Sequence, residues 1–146
     1  MTLILDAAPL VALADAQEPQ LEALLKIREE EKGQLVVPAP VAAEVDYLLG
    51  VRFGEAARRA FLNDLAARRY DVACLEADDY RMVSELDIRY SDLGLGLADC
   101  SIVVLAERYE TRRLLSFDER HFRTVVPLQG GSFDLLPADL VPIDSA

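Results

Sequence analysis

Asp6, Glu44, Asp99 and Asp118 are the side chains whose types and spacing could do chemistry in this chain. Asp6 ends the apolar run Leu3-Ile4-Leu5, and Asp118 follows Leu114-Leu115-Ser116-Phe117, so each terminates a predicted strand. Glu44 and Asp99 stand early in predicted helices, one in Pro40-Val-Ala-Ala-Glu44 and the other at the start of Ala98–Tyr109. In a parallel α/β sheet, strand ends and the first turns of the helices after them lie at one edge, where such folds bind ligands. Carboxylates gathered there repel one another and raise each other's pKa values. Oxygen-ligated divalent ions, Mg²⁺ or Mn²⁺, are the natural compensation. Such an ion can activate a water and stabilise the leaving oxygen of a phosphodiester.

Each acid also has a plainer reading. Asp99 could cap its helix, Asp6 and Asp118 could be turn residues, and Glu44 could be a solvated helix residue. Asp99 shares a helix face with Ile102 and Val103, and a charge over a core stripe is costly unless compensated. Other chemistries fit less well. One His and the separated Cys74 and Cys100 cannot build a typical zinc site. Leu93-Gly-Leu-Gly-Leu97 lacks the Lys and Ser/Thr of a phosphate loop. An Asp-nucleophile phosphatase would want an acid where Ala8 stands, and a phospho-receiver would want a late Lys, whereas the lysines are Lys26 and Lys32. His121, three residues after Asp118, reads either as a general acid or phosphate contact or as a helix-end residue. Asp92 reads as a turn residue or an outer acid, and Arg58 and Arg69 as a solvated helix side or a phosphate grip.

The elements that must position these groups alternate. Strands are expected at Leu3–Leu5, Leu35–Val37, Val72–Leu75 and Arg113–Phe117, with Phe133–Leu136 as a fifth candidate. Helices are expected from Pro9 through Leu13, from Pro19 to about Glu31, and over Val41–Leu49, Gly54–Arg69, Ala77–Ile88 and Ala98–Tyr109. The fold class is therefore α/β: one domain over 1–146, with a central parallel sheet of four or five strands and helices on both faces.

Composition narrows the setting. Hydrophobic residues make up 52% of the 146, enough for a proper core, and no run is long enough to span a membrane. Without a basic leader or apolar signal core, and with both cysteines read as reduced and buried, the expected location is cytoplasmic. A net charge of −11 argues against nucleic-acid binding through surplus Lys and Arg, but not against binding mediated by metal.

The motifs resemble a family. Leu3-Ile-Leu-Asp6-Ala-Ala-Pro-Leu10, Pro38-Ala-Pro-Val-Ala-Ala-Glu44-Val45, Leu95-Gly-Leu-Ala-Asp99-Cys-Ser-Ile102 and Leu115-Ser-Phe-Asp118-Glu-Arg-His-Phe122 resemble, in order, the acidic motifs of PIN-domain ribonucleases, above all VapC-type toxins of toxin–antitoxin pairs. The resemblance implies Mg²⁺- or Mn²⁺-dependent cleavage of RNA, a homodimer, a cognate antitoxin partner, and Asp6, Glu44, Asp99 and Asp118 as metal-binding acids. The alternative is a silent PIN-like module that binds metal or a basic protein without cleaving RNA. Ala7 and Ala8 stand where many members carry Ser or Thr, and Ser116, where members often have Thr, is the hydroxyl expected near the fourth acid.

Overall fold

The computed structural model describes residues 1–140; the expected domain reaches to 146, and its last six residues lie outside the described ones. Five strands form one parallel sheet: β1 (Thr2–Leu5), β2 (Gln34–Pro38), β3 (Asp71–Ala73), β4 (Arg113–Leu115) and β5 (Asp134–Leu136), in the order β3-β2-β1-β4-β5. β1 is central and buried along its whole length, as expected of a continuous apolar run covered on both faces. Leu3, Ile4, Leu5, Val36, Val37, Leu114, Leu115 and Leu135 form the floor of the core.

Seven α-helices cover the sheet among the described residues: α1 (Ala7–Ala12), α2 (Leu21–Glu30), α3 (Ala39–Phe53), α4 (Glu55–Ala66), α5 (Asp79–Arg89), α6 (Leu97–Arg108) and α7 (Glu119–Thr124). α6 packs on β1 and β2, and every residue from Cys100 to Ala106 is buried. A helix apolar all round belongs in the middle of a domain, and α6 is there. α3 packs on α1, α4 and α6 and so braces the side of the sheet from which Glu44 projects.

The fifth strand is present, and the expected elements all exist, with shifted ends. α1 begins at Ala7, two residues before Pro9, because Asp6 caps it. α3 runs through Gly50 to Phe53 and stops at Gly54, whose φ of 88° and ψ of 179° suit only glycine. β3 is earlier than expected, since only Asp71, Val72 and Ala73 pair with β2. Cys74 therefore lies past the strand end and is exposed, contrary to the expected burial; Cys100 is buried. α4 ends at Ala66, so Arg69 lies beyond it and does not share a helix side with Arg58. α7 was not foreseen.

Gly54 has no atom within 4 Å of where a Cβ would stand, so a side chain there meets backbone strain and nothing else. Gly54→Ala should cost about 1–3 kcal/mol, read as a lower urea midpoint with an unchanged slope. An unchanged midpoint would show that the α3–α4 turn relaxes freely.

Candidate active site

The strand order reverses between β1 and β4. β1 leads outward to β2 and β3 on one side, and β4 to β5 on the other. Beyond the paired residues Leu5 and Leu115, the two chains part into different helices and leave a crevice between them. Asp6 and Asp118 stand at its two lips.

Each of these acids divides its two oxygens between fold and site. Asp6 caps α1, Oδ1 accepting from the Ala7 N–H at 2.8 Å, while Oδ2 accepts from the Ser116 hydroxyl at 2.7 Å. Asp118 caps α7, Oδ1 accepting from the His121 N–H at 3.0 Å, while Oδ2 lies 2.7 Å from His121 Nδ1. Ser116 is fully buried, and its oxygen also accepts from the Asp118 N–H at 3.0 Å. One hydroxyl thus ties the first and fourth acids together across the crevice. The cap and turn readings of Asp6 and Asp118 are correct for one oxygen of each; the other oxygen of Asp6 is held by Ser116 and that of Asp118 faces His121.

Asp99 is not the N-cap residue of its helix, although its carboxyl takes a backbone hydrogen bond from Gly96. The N-cap of α6 is Gly96, and Asp99 lies in the first turn with its Oδ2 3.4 Å from His121 Nδ1. Ligand atoms of Asp99, Asp118 and His121 all lie within 4.8 Å of one another. Glu44, whose helical neighbours Val41 and Leu48 would set it at the border of the apolar side, is exposed on α3 and makes no hydrogen bond to the other acids. It reaches them through charge alone.

The electrostatics record the crowding. Burial holds the Asp6 carboxyl above the usual range; the Ser116 and Ala7 hydrogen bonds offset this in part, and Asp99 and Asp118 add repulsion. Burial likewise raises Asp99, with His121 and a Gly96 backbone hydrogen bond pulling it down and Asp118 and Glu44 pushing it up. Glu44 is raised by partial desolvation and then by Asp6. The Cys100 thiol is pushed up to about 11, chiefly by burial, so it is inert packing beside Asp99.

His121 is held from both sides. Phe122, the next residue, is buried and meets Phe133 edge-on, with centroids 5.9 Å apart, which fixes α7 on the core. The His121 Nε2 lies 2.9 Å from the carbonyl of Leu93, in the 3₁₀ turn Ser91–Leu93 that precedes α6. Asp92 in that turn is exposed and outside the cluster. The Arg58 guanidinium is engaged by Glu55 and Asp46, which fits a solvated ion network better than a phosphate grip.

Comparison with known proteins agrees with this arrangement. The family model described as PIN domain matches residues 3–126. The chain belongs to the PIN domain family. Among curated PIN relatives, a protein named Ribonuclease VapC26 from Mycobacterium tuberculosis is 37% identical over 135 residues, covering 92% of this chain and all of the relative. Among solved structures, Mycobacterium tuberculosis VapC20, described as a sarcin-ricin loop cleaving toxin, superposes with a TM-score of 0.73 at 17% identity, over 80% of this chain and 89% of that one. The VapBC2 structure from Rickettsia felis, bound to a DNA fragment from its promoter, matches with a TM-score of 0.65 at 15% identity, over 92% and 97%. At these identities the two structures speak for the fold.

Two predictions follow from the geometry. Ser116→Ala strips a hydrogen bond from a buried carboxylate and an acceptor from the Asp118 N–H, and should cost about 1–3 kcal/mol in chemical denaturation. A neutral effect would mean that Asp6 and Asp118 are held by something other than this hydroxyl. For Asp99→Asn, measured in chelator, the sign depends on pH. A folded-state carboxyl pKa above the unfolded value means that the folded form holds its proton more tightly. Stability from this group is then fully present below about pH 3.9 and is lost as pH rises through the higher folded value. Asn, always neutral, escapes that loss. The variant should match wild type near pH 3 and exceed it at pH 7; a variant less stable at pH 7 would make Asp99 a fold residue first.

Proposed function

We propose that this PIN domain is a divalent-metal-dependent endoribonuclease, the toxin of a toxin–antitoxin pair, cutting RNA phosphodiester bonds at the crevice between β1 and β4. The observation that carries the reading is the meeting of Asp6, Asp99 and Asp118 at the sheet's reversal point, in a chain alike along nearly its whole length to a VapC ribonuclease. Asp6, Glu44, Asp99 and Asp118 are the proposed metal-site and catalytic acids. The donor set fits a divalent ion: carboxylates with raised pKa values and a buried imidazole nitrogen that has no hydrogen-bond partner. We read the ion as Mg²⁺ or Mn²⁺.

Within that reading, Asp99 and Asp118 hold the ion, Asp6 sits rigidly beside them on its Ser116 hydrogen bond, and Glu44 stands at the open side. Bound there, the ion would supply an activated water and charge neutralisation at the leaving oxygen. The protein's own contribution is preorganisation: caps, a buried hydroxyl and a braced helix fix three of the carboxylates before substrate arrives. The partners proposed are RNA, a cognate antitoxin and a second copy of the chain, and the setting proposed is the cytoplasm. None of the described helices is long and apolar enough to cross a membrane.

The test is purified protein incubated with total cellular RNA in Mn²⁺, in Mg²⁺ and in chelator, with new ends mapped. New ends that appear only with metal, and vanish in Asp99→Asn, are expected. Intact RNA under all three conditions would overturn the nuclease reading in favour of a silent interaction module. A second measurement follows from the charge. If the ion and a few arginines make the phosphate contacts, the log–log salt slope of RNA binding should be shallow, at about 0.7 per neutralised phosphate on single strands. A steep slope would mean that many Lys and Arg side chains, rather than the ion, make the phosphate contacts.

A further inference from the structure

The acid cluster contains a nitrogen that no carboxylate-only site accounts for. His121 Nε2 faces the carbonyl oxygen of Leu93 at 2.9 Å, and a carbonyl can only accept, so Nε2 carries the hydrogen. In the neutral ring, the lone pair is then on Nδ1. That atom is buried and has no hydrogen-bond partner, although Asp118 Oδ2 is 2.7 Å away and Asp99 Oδ2 is 3.4 Å away. Ionised carboxylates are acceptors only, so three electron-rich atoms point into one small space. A metal-ligating His commonly commits its other N–H to a backbone carbonyl, which fixes ring tautomer and direction. The Leu93 contact has that form.

We propose that His121 Nδ1 is itself a ligand of the divalent ion, bound together with Asp99 and Asp118. This rests on the metal-site reading above and adds to it a consequence for ion choice. Imidazole suits transition ions, whereas Mg²⁺ and Ca²⁺ favour oxygen ligands. The centre therefore prefers Mn²⁺ to Mg²⁺, and the preference comes from one side chain. The sequence makes this testable without ambiguity, because His121 is the chain's only histidine.

The experiment is pulsed electron paramagnetic resonance of the full-length protein loaded with one equivalent of Mn²⁺, without RNA, in natural-abundance and [¹⁵N]histidine-labelled forms. A nitrogen modulation that changes with the label is expected. Calorimetry on His121→Asn, checked as folded by circular dichroism, should show the Mn²⁺ dissociation constant rising about 10- to 100-fold, with a smaller change for Mg²⁺. Tightly bound Mn²⁺ without a histidine coupling would overturn the proposal while leaving the carboxylate site intact; His121 would then be a charged partner that positions Asp118. Absence of Mn²⁺ binding by both calorimetry and resonance would overturn this proposal and the metal-site reading together.

Discussion

The Ser116 hydroxyl, set between Asp6 and Asp118, is the contact on which the site depends. It donates to one acid and accepts from the backbone of the other. It can do so because β1 and β4 are paired up to Leu5 and Leu115, and the Asp6 N–H still donates to the Leu115 carbonyl at 2.9 Å. One residue further, the chains separate, and Ser116 turns its N–H to Leu136 of β5. The crevice is thus opened by topology and held to a fixed width by a single side chain. A hydrogen bond to a charged group contributes about 1.5–3 kcal/mol. Desolvation of the buried carboxyl outweighs its two hydrogen bonds, and Asp99 and Asp118 add repulsion, so Asp6 remains raised.

The cluster is a local conflict that the fold tolerates. Three acids with raised pKa values in one crevice oppose the folded state at neutral pH. The opposition is met by rigid surroundings: β1 buried on both faces, α6 sunk in the core, and α7 pinned by Phe122 on Phe133. Groups arranged against their own stability mark sites where function sets the residue types. A bound cation relieves the conflict, and binding to the folded form alone adds stability by mass action.

Much of this was legible in the sequence, for identifiable reasons. The Leu3–Leu5 part of β1, Leu35–Val37 of β2 and Ile102–Ala106 of α6 are written as unbroken apolar runs, since buried parallel strands and a buried helix need apolar residues on every side. Asp6 and Asp118 could be placed at one edge because the strands of a parallel sheet all end on the same side, although β4 ends at Leu115, three residues before Asp118. What could not be read is what depends on distant partners. α7 has six residues and one buried side chain, Phe122, too little for any periodicity to show. β3 is fixed by three pairings with β2, so its register, and with it the exposure of Cys74, follows from the neighbour rather than from its own composition. His121 was visible as a residue three after Asp118, which suits the same helix face. Its partners Leu93 and Asp99, brought in from the connector and α6, were not. The cap reading of Asp99 holds only in part: Gly96 takes the N-cap position, and the Asp99 carboxyl reaches back to its backbone while facing the site.

The net charge of −11 is the hardest feature to reconcile with RNA, and distance resolves it. At physiological ionic strength, charges further apart than about 8 Å are largely screened, so most of the acidic surface is not felt at the crevice. Several of the protein's arginines are engaged by its own acids. Arg58 is held by Glu55 and Asp46, Arg123 by Asp139 and Glu119, Arg113 by Glu31 and Arg108 by Asp79. A phosphate entering the crevice therefore meets carboxylates first and would be repelled by the bare site. Only a cation seated among those carboxylates reverses the local sign. In the ribonuclease reading, substrate binding and metal binding are then one requirement: the ion that carries the chemistry is also what makes the crevice attractive to RNA. In the same reading, the acidity of the rest of the surface would suit a basic protein partner, whose attraction at contact does not depend on the ion.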